Sequence, residues 1–314
     1  MAEYILRRLL QVIPTMFGIF TVLFVLAFLM PSDPLRAVLG EQYRRLPPEV
    51  VEGLKEELGL NDSFIERYLT FLGRTLQGDL GRSYVLEQDV WDIISYRFPR
   101  TVQLMLGGLI VSTLIGIPAG IIAAQKQYTW IDQLLMFLSL IGVSVPVFWL
   151  GLLAQTFLTQ SAYGIALFPV AGYQEGSITH MILPSLVLGT ALSATLARVT
   201  RSAMLEVRGQ DFITTARAKG LADRVVVLKH QLRNALIPII TVIGLNIGYL
   251  LGGSVVTETI FNWPGMGRAI VPAIERRDTP VIMGILIFGA FLFILINLLT
   301  DLVYALVNPR IRYN

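Results

Sequence analysis

Residues 210–238 read QDFITTARAKGLADRVVVLKHQLRNALIP, a basic and polar island between two long apolar runs. Asp211 has the side chain of a good helix N-cap, residues 212–219 make one short predicted helix, and Gly220 supplies the left-handed residue that ends it. A second amphipathic piece is predicted to start near Asp223 and run up to the membrane at Pro238. At ~1.5 Å per residue the first helix is only about 12 Å long. The island is therefore a short, stiff, positively charged knob at the tip of a helical hairpin.

What surrounds the knob sets the fold class. The chain has 314 residues, 54% hydrophobic and 15% charged, with a mean hydropathy of +0.65; a soluble domain carries roughly 25% charged residues. This is the composition of an all-α polytopic membrane protein. The absence of cysteine excludes a disulfide framework and thiolate metal sites. Near the start, Arg7 and Arg8 precede an apolar run that reaches Met30. A signal peptide would have an apolar core of about 7–15 residues and a small-residue cleavage site. This run is roughly 20 residues long, enough to span, and it ends Ala27-Phe28-Leu29-Met30-Pro31, without such a site. Five further runs, residues 101–124, 133–160, 181–197, 238–256 and 281–300, are each long enough to cross a ~30 Å hydrocarbon core as a helix.

Charge placement orients the six spans. Residues 31–99 hold twelve acidic and eight basic residues and are expected outside, with small helices over 49–60 and 64–76 that pack on the spans or on a partner. Residues 198–233 carry eight basic residues against Glu206, Asp211 and Asp223, and the tail adds Arg310 and Arg312. Six spans put both termini and the knob on this basic side, which the positive-inside rule makes cytoplasmic. The expected division is residues 1–30 (N-terminal cytoplasmic end and first span), 31–99 (a small helical external segment) and 100–314 (five spans with a cytoplasmic loop at 201–237). Arg198, Arg201 and Arg208 lie on one helical face continuing out of the fourth span, suited either to lipid headgroups or to an acidic partner.

No span contains Asp, Glu, Lys, Arg or His in its interior, which argues against a proton relay. There is no Gly-Lys dipeptide, hence no Gly-Lys-Ser/Thr phosphate loop, and no His-Glu-x-x-His or Gly-x-Ser-x-Gly arrangement. His180 and His230 are expected on opposite sides of the membrane and cannot share a metal. The sequence thus offers no catalytic residue, no metal site and no cofactor bound by this chain. If it moves solute uphill, the free energy must enter from another subunit, and the knob is the obvious port. In the fifth span Gly244, Gly248 and Gly252 recur every four residues, beside Thr241, Asn246 and Tyr249; the fourth offers Ser185, Thr190, Ser193 and Thr195. Such small and hydroxyl residues make either a packing face or a pathway lining. Pro118, Pro146, Pro184 and Pro238 lie within or at span ends, where a lost hydrogen bond permits bending.

The strings DFITTARAKGL and KHQLRNALIP resemble the cytoplasmic loop of ABC importer permeases, most closely the first permease of the dipeptide/oligopeptide group. The wider pattern there is Glu-Ala-Ala, three residues, then Gly. Thr214 and Thr215 stand where Glu and the first Ala would be, while Ala216 and Gly220 fit. TETIFNWPGMG (residues 257–267) resembles an external loop of the same group; physically, Phe261 and Trp263 read as interfacial aromatics and Pro264-Gly265 as a turn. Residues 31–34 and 78–83 resemble its external strings or are plain turn chemistry, and residues 308–313 match its C-terminus. The resemblance implies a type I ABC importer permease fold with six transmembrane helices in a bacterial inner membrane. It implies a second permease as hetero-dimer partner, two cytoplasmic ATPases holding ATP and Mg, and a periplasmic solute-binding protein; nucleic acid has no part. It places ATPase docking on Asp211, Thr215, Ala216, Arg217, Lys219, Gly220 and Leu221. Small Ala216 would permit close approach, Arg217 and Lys219 would pair with acidic rims, and Gly220 would fix the corner. The translocation path or permease interface falls on Ser193, Thr241, Gly244, Asn246, Gly248, Tyr249 and Gly252. Peptides are the implied cargo, with glutathione or a nickel complex as alternatives; an ion-coupled secondary carrier, working without ATPases, is the competing class.

Overall fold

The computed structural model describes residues 2–29, 46–57, 61–159 and 166–307, together with Leu35 and Tyr43. The described residues are almost entirely helical. In chain order the helices are α1 (Ala2–Leu29), α2 (Pro48–Glu57), α3 (Phe64–Leu76), α4 (Val90–Gln125), α5 (Trp130–Ser144), α6 (Val147–Leu158), α7 (Ile178–Arg208) and α8 (Asp211–Ala218). A short turn Asp223–Val225 and a π-helical segment Val226–Gln231 then lead without a break into α9 (Leu232–Gly253). α10 (Val255–Ile260), α11 (Met266–Glu275) and α12 (Thr279–Val307) come after it. Five described helical stretches are long and apolar enough to cross a bilayer, and α5 with α6, bent by 101° at their junction, make a sixth when counted as one span. The strings at residues 31–34 and 308–313 lie outside the described residues.

Two of the expected spans take a different form. The run 133–160 is broken because Pro146 has no N–H and pushes Val145 out of the helical region, to φ −81 and ψ 123, which ends α5. The fifth span begins well before Pro238, since helical backbone is continuous from Asp223 and Pro238 lies inside α9. One proline removes a single ladder bond, and here it does not end the helix.

The chain divides into two compact units. One holds residues 2–99 and 265–294. Its α3 is started by a capping box, in which Ser63 Oγ accepts from Glu66 N and the Glu66 carboxylate accepts from Ser63 N. α3 packs Tyr68 and Phe71 against Phe20 and Phe24 of α1, so the segment expected to need support finds it on a span. Val90, Ile93 and Ile94 of α4 form a second core with Met266, Ala269 and Ala273 of α11 and Val281, Ile282 and Ile285 of α12. The turn at residues 78–83 has Gly78 and Gly81 at positive φ, and Gly81 N donates to Asp79 Oδ1. Ser83 Oγ, itself buried, donates to Asp278.

The other unit holds residues 100–264 and 295–314. In it α4 and α7 approach each other closely. A Cβ at Gly107 would lie 2.1 Å from Ser185 Oγ, and one at Gly120 would lie 2.5 Å from Thr200 Cβ and 2.6 Å from Ala197 O. A Cβ at Gly189 would lie 2.4 Å from Val111 and one at Gly116 2.9 Å from Leu196, so the two backbones meet through glycine. At residues 254–264, Glu258 is fully buried and accepts from Thr101 Oγ1 and Ser254 Oγ. Phe261 and Trp263 are each 1% exposed, which corrects the interfacial reading. The indole fills a slot against Tyr173 and donates Nε1–H to Arg100 O at 2.8 Å, so its polar edge is satisfied inside the protein.

Candidate functional site

The knob is a short helix of about two turns with a built stop. α8 starts one residue earlier than expected: Gln210 occupies the N-cap with no side-chain bond, and Asp211 is the first helical residue. There its carboxylate sits by the positive end of the helix, where a negative charge is favoured. Thr215 Oγ1 donates back to Asp211 O at 3.0 Å. At the other end Gly220 N donates to Arg217 O (2.9 Å) and Leu221 N to Ala216 O (3.4 Å), the paired bonds of a Schellman stop. Gly220 has φ +74, and a Cβ there would meet nothing within 4 Å. Backbone conformation, and not space, demands glycine at this corner.

The knob has an inner and an outer side. Ile213 and Ala216 are buried against Val226, with Val207 beside them. Ala216 therefore presents its methyl to the chain's own π segment. Asp211, Phe212, Thr215, Lys219 and Leu221 are exposed. Arg217 is 41% exposed and faces Asp223 at a loose 3.9 Å. Beside it opens a recess of about 600 Å³ lined by Gln125, Arg208, Arg217, Asp223 and Arg224, with Val227 and Leu228.

Several polar ties hold this loop to the helices that lead into the spans. Gln231, the last π residue, is fully buried; its Nε2 donates to Met204 O of α7 (2.6 Å) and its Oε1 accepts from Gln125 Nε2 of α4 (3.0 Å). Arg208 donates to Ala124 O at 3.3 Å. Arg201 grips Asp132, in the first turn of α5, through two bonds of 2.6 and 2.7 Å, and Asp132 also accepts from Tyr128 N. Arg201 is thus engaged within the chain, because its guanidinium fork matches a carboxylate that α5 delivers to it. Arg198 of the same series is exposed. Sequence reasoning did not single out Asp132, Gln125 or Gln231 as functional. The available signals were an acid at the start of a span with no base one helical turn away, and the glutamine inside the KHQLRNALIP string.

The residues expected along a pathway all lie on α7 and α9. Ser193 is buried and its hydroxyl donates to Thr190 O; Thr241 donates to Ile237 O. A Cβ at Gly244 would lie 2.5 Å from Thr300 of α12, so Gly244 is a packing contact. Gly248 is buried, Asn246 is 8% exposed and Tyr249 is 54% exposed. Gly252 falls in the last turn of α9.

Residues 116–313 match the family described as binding-protein-dependent transport system inner membrane component, and residues 1–105 match its N-terminal companion family. The chain belongs to this family. It is an ABC importer permease of the dipeptide group. The permease is 41% identical over 336 residues to the dipeptide transport system permease protein DppB of Alkalihalophilus pseudofirmus, with both chains covered in full. It is equally, 41%, identical over 314 residues to the glutathione transport system permease protein GsiC of Escherichia coli, again with full coverage of both. A chain of the MetNI methionine ABC transporter in an inward-facing form aligns with a TM-score of 0.59 at 17% identity, covering 69% of the permease and 96% of that chain. That likeness concerns the fold.

Proposed function

We propose that the permease carries peptides of di- to oligopeptide size across a bacterial inner membrane, with its termini and the knob in the cytoplasm. Its work is supplied by two ATPase subunits that bind ATP and Mg, its cargo by a periplasmic solute-binding protein, and the pathway is completed by a second permease. The observation that carries this reading is α8 itself. It is a short helix with a rigid stop, seated on the π segment by Ile213 and Ala216, with Asp211, Phe212, Thr215, Lys219 and Leu221 turned outward. Such a knob transmits displacement without deforming. The exposed apolar Phe212 and Leu221 beside Lys219 suit a partner groove with an acidic rim. Arg217, half in the neighbouring recess, reaches the same rim from the side.

Glutathione is the second reading, favoured by the equal identity to a glutathione permease. Both cargoes are peptides, and mass spectrometry of the ligand held by the co-purified binding protein decides between them. The mechanism is tested with Gly220→Glu in the reconstituted transporter. The left-handed backbone at Gly220 disfavours any side chain, so the stop is disturbed at the docking corner. The variant should insert normally and hydrolyse ATP without moving cargo. Unaltered transport and unaltered ATPase stimulation would contradict the assignment.

A further inference from the structure

The docking face does not explain Gln231. Its side chain is completely enclosed, and its orientation is set by its partners. Met204 O can only accept, so Nε2 faces it, and Oε1 is left to accept from Gln125. The two partners belong to different long helices, α7 and α4, while Val226, at the other end of the same π segment, carries α8. The π segment matters for this aim. Leu232 N bonds back to Val227 O, five residues earlier, and one extra residue in a turn rotates the remainder of the helix by about 100°. The contact of Val226 with Ile213 and Ala216 is apolar and non-directional, so it tolerates sliding. Two directional bonds from one buried amide do not. A leucine would fill the same volume without needing either partner, and a buried amide with both bonds made specifies one register.

We propose that Gln231 is the positioning residue that keeps α8 in register with α4 and α7, so that displacement of α8 moves both spans. This rests on the reading of α8 as the point where ATPase work enters. The test uses the complete transporter in proteoliposomes and reads three quantities: ATPase subunits retained, ATP hydrolysed, and cargo moved per ATP. Gln231→Leu should retain the ATPases and hydrolyse ATP while cargo per ATP falls about tenfold or more, on the scale of its two lost buried hydrogen bonds in an equilibrium. Gln125→Leu, which removes one of the two bonds and lies half-buried, should lower the ratio by less. An unchanged ratio overturns the proposal. So does a loss of transport matched by equal loss of ATPase activity or of assembled complex, since that is a structural role alone. Should Gln231→Leu not assemble, Gln125→Leu decides by the same ratio. A wild-type transporter that moves cargo without ATP would instead overturn the reading of α8, so the two failures are distinct.

Discussion

Asp132 is 3% exposed and meets Arg201 through a two-bond fork. Removing one partner leaves the other charge enclosed, so Asp132→Asn should lower stability by about 3 kcal/mol, the low end for a buried pair because Arg201 keeps some contact with solvent. Arg201→Lys should also destabilise, since an ammonium cannot make both bonds. The paired change Asp132→Leu with Arg201→Met should recover most of the loss. Thermal unfolding in detergent checks all three, and a double variant worse than either single one would contradict the account. A second carboxylate gives a pH dependence. The Ser63 backbone N–H, and then its hydroxyl, hold the Glu66 carboxyl below the ordinary carboxylate range. Its contribution is therefore complete above that ordinary range and disappears as pH falls through the lowered value. Amide protection in the first turn of α3 should drop in acid, and Glu66→Gln should remove the dependence; protection that rises in acid would refute it. The positive φ of Gly220 was legible in the sequence because glycine after a basic helical turn has one common use. The Asp132–Arg201 pair was not legible, because its members are far apart in sequence and only packing of α5 on α7 brings them together.

Among the elements, α4 and α7 depend most on single residues. Gly120→Val would force Cβ into Thr200 and into the Ala197 carbonyl, which is backbone and cannot swing aside. The expected cost is about 1–3 kcal/mol from overpacking, with lower yield of folded protein in the membrane; Gly73→Val, on a surface where a Cβ meets nothing, is the control and should lose much less. Equal loss in both variants would remove glycine-mediated approach as the cause. The apolar runs revealed these helices, yet the glycines noticed in the sequence were those of α9, because regular spacing draws attention and α4's Gly107, Gly116 and Gly120 lack a single period. The break at Pro146 was half legible. Proline permits bending, but whether a helix kinks, as at α5–α6, or runs on, as through Pro238, depends on what replaces the lost bond. The π segment was invisible, since its six residues have no composition that an α-helix lacks.

At the scale of the whole molecule, composition and charge placement give the class, and the knob's strings give the family, to which the chain belongs by matches at residues 116–313 and 1–105. Among the expected pathway residues Ser193 is buried with its hydroxyl bonded within α7, Gly244 lies against Thr300, and the exposed Tyr249 awaits a second permease in the proposed assembly. The central claim is that the outer face of α8 lies in the cytoplasm against an ATPase. The chain contains no cysteine, so Lys219→Cys introduces one thiol at the exposed end of that face. In intact cells it should resist a membrane-impermeant thiol reagent applied from outside, and in inside-out vesicles a short crosslinker should join it to an ATPase subunit. Labelling from outside, or a thiol that is freely reactive in vesicles and never crosslinks to an ATPase, would contradict the account.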